Sequence, residues 1–182
     1  FALIFHKNAD IIYYIKDLGG CFMLIQFSVE NFLSIKGSVV LSLLASKDNE
    51  HPEHLIVDGN KKHLKSAVIY GANASGKSNV LNAFWFMVNY VLTSHNQQLH
   101  KTIERSPFKF DRETPSRPSS FEVIFTTEGI RYAYGFSVTD KAVTEEYLYY
   151  YPNGRKALIF ERKNTKDFRF TVDIDEQNTL KE

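Results

Sequence analysis

The sequence predicts an α/β fold joined to an antiparallel β part, and three observations carry that prediction. A short, unbroken apolar run, Ala67-Val68-Ile69-Tyr70, leads directly into a glycine-rich turn. Val80, Leu81, Phe84, Val88 and Val91 then recur at helical spacing across Ser78 to Leu92. From Phe121 onward, apolar residues alternate with polar ones. An unbroken apolar run is the pattern of a strand covered on both faces. A recurrence near 3.6 residues marks the apolar face of a helix. A period of two marks half-buried strands.

The first organised segment begins at Met23. Met23 to Val29 sets Ile25, Phe27 and Val29 against Leu24, Gln26 and Ser28, which reads as a half-buried strand. Glu30-Asn31-Phe32-Leu33-Ser34 follows as a turn, and Val39 to Leu44 as a second strand. Ser46 to His54 is polar, contains Pro52 and is read as a loop. Leu55-Ile56-Val57 is a short strand ending in an Asp58-Gly59-Asn60 turn. Lys61 to Lys65 is basic and is read as a solvated hairpin tip.

Beyond the helix, Thr93 to His100 is polar. Pro107-Phe108-Lys109-Phe110 leads into Arg112 to Ser120, a Pro- and Ser-rich loop. A β-meander is expected after it. Phe121/Val123/Phe125 form one strand, and Tyr132/Tyr134/Phe136 form another after a Glu128-Gly129 turn. Tyr147 to Tyr151 and Leu158 to Phe160 flank Pro152-Asn153-Gly154 as a hairpin. Phe168/Phe170/Val172 closes the series. The division expected is residues 1–22 as an extension of unclear status, 23–104 as an α/β lobe, and 105–182 as an antiparallel β-rich part of the same unit.

Composition narrows the function classes. The 182 residues suit one domain or a large piece of one, and 43% apolar content is ordinary for a globular chain. Ten Tyr and fifteen Phe are enough to fill a sizeable core. A net charge of +1 gives no bulk signal for nucleic-acid or membrane binding. The single cysteine, Cys21, has no internal partner for a disulfide and rules out cysteine-cluster metal sites. The apolar stretches Phe1 to Phe5 and Ile11 to Ile15 are interrupted by polar residues and fall short of the roughly 20 apolar residues of a membrane helix. No clear signal-peptide pattern is present, and a cytoplasmic location is the expectation.

Residues 71–78 carry the chemistry. They read Gly71-Ala72-Asn73-Ala74-Ser75-Gly76-Lys77-Ser78, the pattern G-x-x-x-x-G-K-S. The glycines let the backbone bend around an anion at φ angles that other residues avoid. Successive N–H groups then point inward as an anion nest. The start of the helix adds unpaired amides and the positive end of its dipole. Lys77 is expected to reach the β- and γ-phosphates of ATP, and the Ser78 hydroxyl to ligate Mg²⁺. The expected nucleotide contacts run from Gly71 to Ser78 and include Asn79. A chance match in a chain of this length has odds of roughly one in a hundred to two hundred. A glycine-rich strand-to-helix turn that binds nothing would leave the Lys-Ser pair unexplained.

Hydrolysis needs more. A carboxylate at the end of another apolar strand holds Mg²⁺ through water, and a neighbouring acid or Gln activates the attacking water. Val172-Asp173-Ile174-Asp175-Glu176 alternates like a surface strand and does not fit that role. No catalytic residue is therefore assigned. His51-Pro52-Glu53-His54 suggests a metal site, but a proline inside the spacing works against helical presentation, and loop polarity is the plainer reading. Tyr147, Tyr149, Tyr150 and Tyr151 could stack on bases, but tyrosines in a strand pattern more often pack a sheet.

Three stretches resemble known families. Met23-Leu-Ile-Gln-Phe-Ser-Val-Glu-Asn-Phe-Leu-Ser-Ile is similar to the first strand and turn of ABC-type ATPase heads of the SMC, RecF and double-strand-break-repair kind. Ala67 to Phe84 is similar to their phosphate-binding loop, including Asn79 after Ser78. Pro107-Phe-Lys-Phe, Phe121-Glu-Val-Ile-Phe, Tyr132-Ala-Tyr-Gly-Phe and Glu146-Tyr-Leu-Tyr-Tyr-Tyr-Pro resemble bacterial AAA-type ATP-binding proteins of the abortive-infection and anti-phage group. Relatives of that group include the overcoming-lysogenization-defect nucleases and the ATPases of retron- and Septu-type defence systems. The resemblance spans about residues 23–172.

The resemblance implies a partial P-loop NTPase fold, the N-terminal lobe of an ABC-type head with an antiparallel β-subdomain. It implies ATP and Mg²⁺ as cofactors, a homodimer of heads that sandwiches two nucleotides, and acidic and signature motifs placed after Glu182. It also implies Phe32 and Lys36 near the nucleotide, against turn packing and a solvated charge as the plainer readings. The function expected is nucleotide-gated control of an anti-phage effector, a partner nuclease or toxin. The alternatives are a DNA-repair ATPase of RecF or SMC type, for which no basic stripe speaks, and a truncated remnant that does not hydrolyse ATP. No membrane partner is expected.

Overall fold

The computed structural model describes residues 22–46, 51–58, 61–94, 102–164 and 167–171. Among the described residues, nine strands and one long helix follow in the order β1 (Met23–Glu30), β2 (Val39–Ser42), β3 (Leu55–Asp58), β4 (Lys61–Leu64), α1 (Lys77–Thr93), β5 (Ser119–Thr127), β6 (Ile130–Val138), β7 (Val143–Tyr150), β8 (Ala157–Lys163) and β9 (Asp167–Phe170), with short 3-10 turns at Pro52–His54 and Pro152–Gly154. Seven strands form one sheet in the order β2-β1-β5-β6-β7-β8-β9, and β3 and β4 form a separate hairpin. Every one of these pairings is antiparallel. The architecture of the described residues is thus mixed α/β with an antiparallel sheet.

Alternation explains which face of the sheet is covered. Phe27 and Val29 of β1 stand opposite Val123 and Phe121 of β5, and these stand opposite Tyr134 and Phe136 of β6. All six are buried. Helix α1 lies on this face. Phe84 meets Phe27 edge-on at 5.1 Å, Phe86 lies 5.1 Å from Phe121, and Tyr90 lies 5.2 Å from Phe136. Ala83, Met87 and Val91 are its most deeply buried residues. Full burial of a side chain the size of Met87 or Val91 contributes about 1.5–3 kcal/mol. Leu81, expected on the apolar face, is instead 58% exposed, since the stripe that meets the sheet runs through Val80, Ala83, Phe84, Met87 and Val91.

The meander follows the sequence pattern closely. Glu128 and Gly129 both take positive φ, 52° and 73°, the two-residue turn that matches strand twist. Asn153 and Gly154, at 54° and 78°, close the β7–β8 connection. Val172 and the Asp173–Glu176 stretch lie outside the described residues, as do residues 1–21 of the expected 1–22 extension, residues 95–100 of the polar Thr93 to His100 stretch and residues 59–60 of the Asp58-Gly59-Asn60 turn.

Two expectations are overturned. Ala67 to Tyr70 is not a strand covered on both faces. The segment pairs with no strand among the described residues, and Val68 and Tyr70 are 84% and 90% exposed. A buried strand needs neighbours on both edges, and β1 already has β2 and β5 on its two edges. Lys61 to Lys65 is not a hairpin tip either. Lys61 to Leu64 is β4 itself, registered against β3 with Ile56 opposite His63, and His63 is fully buried.

The turn after β1 is anchored from several directions. Asn31, at φ 54°, is buried and donates through Nδ2 to the carbonyls of Thr114, Arg117 and Pro118 at 2.7, 3.0 and 3.1 Å. Its Oδ1 accepts from the Phe108 amide at 3.0 Å. Phe32 and Ile35 exchange two backbone hydrogen bonds of 2.9 Å, and the Leu33 amide donates to Ser106 O at 2.6 Å. This turn stands beside the glycine-rich loop.

Candidate functional site

The glycine-rich loop delivers the chain into α1. Gly76 is the residue before the helix and takes φ 91° and ψ 5°, a left-handed conformation open to glycine at no steric cost. Ala74 also has a positive φ, 61°. The change of hand turns the chain back on itself, and the helix begins at Lys77 with no side-chain cap. Its first amides therefore lack internal partners.

The backbone of the loop is largely uncommitted. Ser75 N donates to Ala72 O at 3.3 Å and Asn79 N to Gly76 O at 2.9 Å. Among the described residues, no other amide of 72–78 has a backbone acceptor. Gly71 to Ser75 and Ser78 are exposed, while Gly76, Lys77 and Asn79 are half-buried. The turn is therefore neither extended nor hidden.

Lys77 folds over the loop. Its Nζ donates to Gly71 O at 2.9 Å and to Ala72 O at 2.7 Å. The ammonium thus lies against the first two residues of the loop. The Asn79 carboxamide points elsewhere, donating through Nδ2 to Ser34 Oγ at 2.6 Å. Ser34 Oγ also backs the loop, since a Cβ built on Gly76 would lie 3.1 Å from it. Ser34 is the neighbour that the sequence reading missed. Its only signal was its place in the Asn-Phe-x-Ser turn, and the contact with Asn79 spans 45 positions.

Phe32 and Lys36 have other occupations. The Phe32 ring is buried 5.1 Å from Phe86 and 5.3 Å from Phe121. Lys36 Nζ pairs with Asp111 Oδ2 at 2.6 Å. That ammonium, followed by the Glu113 and Thr114 amides, holds the Asp111 carboxyl down at about 2.

His51, Glu53 and His54 do converge, because Pro52 opens a 3-10 turn instead of breaking one. Residues three apart eclipse in such a turn. His51 Nδ1 and His54 Nε2 lie 3.1 and 3.4 Å from the same Glu53 oxygen. All three are exposed.

The tyrosines of β7 are sheet residues. Tyr147 donates to Glu122 at 2.6 Å and Tyr149 to Glu161 at 3.2 Å. Tyr149 also carries the Lys156 ammonium 3.6 Å above its ring. No helix among the described residues is long and apolar enough to cross a membrane.

Comparison with curated proteins gives no match. A family model does match, over residues 66–181, which is well over half of the chain and takes in the loop, α1 and the whole meander. With its glycine-rich loop, its Lys-Ser pair and the helix that follows, this chain belongs to the AAA domain family described as putative AbiEii toxin, Type IV TA system.

Proposed function

We propose that Gly71 to Asn79 bind ATP with Mg²⁺, and that nucleotide binding by this AAA domain gates an abortive-infection effector, a partner nuclease or toxin. The observation that carries the reading is the loop itself. Amides without backbone acceptors lead into the start of a helix, and the Lys77 ammonium lies against the same loop, a ready-made anion site. The donor set fits a triphosphate. The amides of 72–78 and Lys77 supply positive potential for three phosphates, and the exposed Ser78 hydroxyl supplies a hard oxygen for Mg²⁺. Bound Mg²⁺ would neutralise charge on the β- and γ-phosphates. Lys77 would exchange its two carbonyl acceptors for phosphate oxygens, a stronger, charge-assisted contact. Gating further rests on association of two such heads.

The experiment is thermal unfolding of the chain with and without ATP–Mg²⁺. A ligand at one hundred times its dissociation constant stabilises the folded state by about 2.7 kcal/mol. Wild type is expected to shift upward and Lys77→Ala to lose the shift. No shift at millimolar ATP–Mg²⁺, or an equal shift in Lys77→Ala, would overturn the reading.

A further inference from the structure

We infer that Ser34 is a positioning residue of the nucleotide loop, acting through Asn79 and Gly76. The inference rests on the nucleotide reading of the loop and adds a residue from a different part of the chain. Ser34 Oγ accepts a 2.6 Å hydrogen bond from Asn79 Nδ2, on the first turn of α1. The same oxygen packs against Gly76, the residue whose left-handed backbone turns the loop into the helix. One hydroxyl therefore bonds Asn79 and stands beside Gly76, the residues that flank Lys77 and Ser78, the two side chains the nucleotide reading assigns to the phosphates and the metal.

The hydroxyl is held in place by its own turn. Asn31 ties that turn to the 108–118 segment, Phe32 and Ile35 bond one another, and Leu33 N is fixed on Ser106 O. Phe32 and Ile35 are buried, while Ser34 itself is exposed. An exposed neutral hydrogen bond adds little to folding, because water replaces it when it is lost. Its consequence is geometric. It fixes the Asn79 carboxamide and the approach of Gly76, and so the direction in which the amides of 76–78 point. Displacement of such groups by a fraction of an ångström weakens a preorganised site. The oxygen also retains its own proton, which has no acceptor among the described residues and can be donated to a phosphate oxygen.

The test compares wild type, Lys77→Ala, Ser34→Ala, Ser34→Thr, Asn79→Ala and the Ser34→Ala/Asn79→Ala double variant in the full chain. Each is titrated with ATP–Mg²⁺ by calorimetry and melted without nucleotide. Ser34→Ala is expected to weaken ATP–Mg²⁺ binding about 5-fold, the size of one net hydrogen bond, with an unchanged melting temperature. Ser34→Thr keeps the hydroxyl and is expected to bind as wild type. The double variant is expected to bind no more weakly than the weaker single one. Asn79→Ala removes the same contact from the other side and serves if Ser34→Ala does not fold. Wild-type affinity in both single variants, or a loss that Ser34→Thr does not restore, overturns the role of Ser34 while leaving the loop assignment intact. Absence of binding in wild type overturns both.

Discussion

Tyr147 donates its phenol proton to Glu122 across the full width of strand β6, at 2.6 Å. The two residues stand on either side of Gly135, which is registered opposite both of them. The reach is possible because Gly135 has no side chain. A Cβ there would lie 2.5 Å from the Tyr147 Cζ and hydroxyl oxygen. Burial, with the neighbouring carboxylate, pushes the Tyr147 phenol well above its usual range, so it stays a donor at every working pH.

Gly135→Ala is therefore expected to destabilise the sheet by about 1–3 kcal/mol, the usual cost of overpacking. The clash is with one side chain, so it is relieved by removing that ring. In a Tyr147→Leu background the same substitution is expected to cost markedly less. Denaturant unfolding of the four-member cycle measures this, and equal costs in both backgrounds would show that the ring does not lie over Gly135.

Asn31 is the next point of weakness. Its carboxamide serves three carbonyls and one amide that hold the 108–118 segment against β1. Asn31→Ala removes all four contacts. Thr114 O keeps the Arg117 amide and Arg117 O keeps Arg105 Nη1, whereas the Pro118 carbonyl and the Phe108 amide lose the partner named here, each costing about 1–3 kcal/mol when left unsatisfied. Relaxation and water entry recover part of that, so a loss of about 3 kcal/mol is expected in equilibrium unfolding. Asn31 also sits at φ 54°, which Asn tolerates better than Ala, and this adds to the same side.

What was legible in the sequence divides along the range of the interaction. The meander was readable because alternation and turn residues are local. Phe121/Val123/Phe125, Glu128-Gly129 and Asn153-Gly154 each state their own conformation. Helix α1 was readable from its period, with Leu81 misplaced because a stripe of apolar residues on a helix does not say which of its edges meets the sheet. Ala67 to Tyr70 misled because an apolar run reads alike whether or not a neighbouring strand exists to pair with it. Lys61 to Lys65 misled because its charges masked the alternation that buries His63. In the candidate site, the loop residues were visible as a motif. Ser34 was not, since its contact with Asn79 is made by folding alone.

Lys36 and Asp111 give a pH signature. The Lys36 ammonium and the Glu113 and Thr114 amides lower the Asp111 carboxyl from 3.8 to about 2. A group whose folded pKa is depressed stabilises the fold above its unfolded pKa and loses that contribution as pH falls through the folded one. The contribution is thus complete above about pH 4 and gone below about pH 2. Asp111→Asn is expected to lower the melting temperature slightly at neutral pH and to flatten its dependence between those limits. Because Lys36 is exposed and Asp111 partly so, added salt is expected to shrink the difference. Parallel acid-melting curves for the two proteins would contradict the assignment.

Gly76 and Gly129 offer a matched comparison of backbone strain with and without a neighbour. Both have positive φ, 91° and 73°. An alanine pays about 1–2 kcal/mol in that region at either site. At Gly129 its Cβ meets nothing within 4 Å, whereas at Gly76 it meets Ser34 Oγ at 3.1 Å. Gly129→Ala is expected to cost only the backbone term and to leave ATP–Mg²⁺ affinity untouched, since the β5–β6 turn is no part of the loop. Gly76→Ala is expected to cost somewhat more in stability and to lose nucleotide binding, because its Cβ pushes the loop off the Ser34 hydroxyl. Ser34→Ala shortens that hydroxyl away, so combining it with Gly76→Ala is expected to recover part of the stability. It should not recover the binding, which still lacks the amide directions that glycine permits. Unfolding and calorimetry on the three variants separate the two terms. Nucleotide affinity preserved in Gly76→Ala would mean that the turn at 76 does not set the phosphate site.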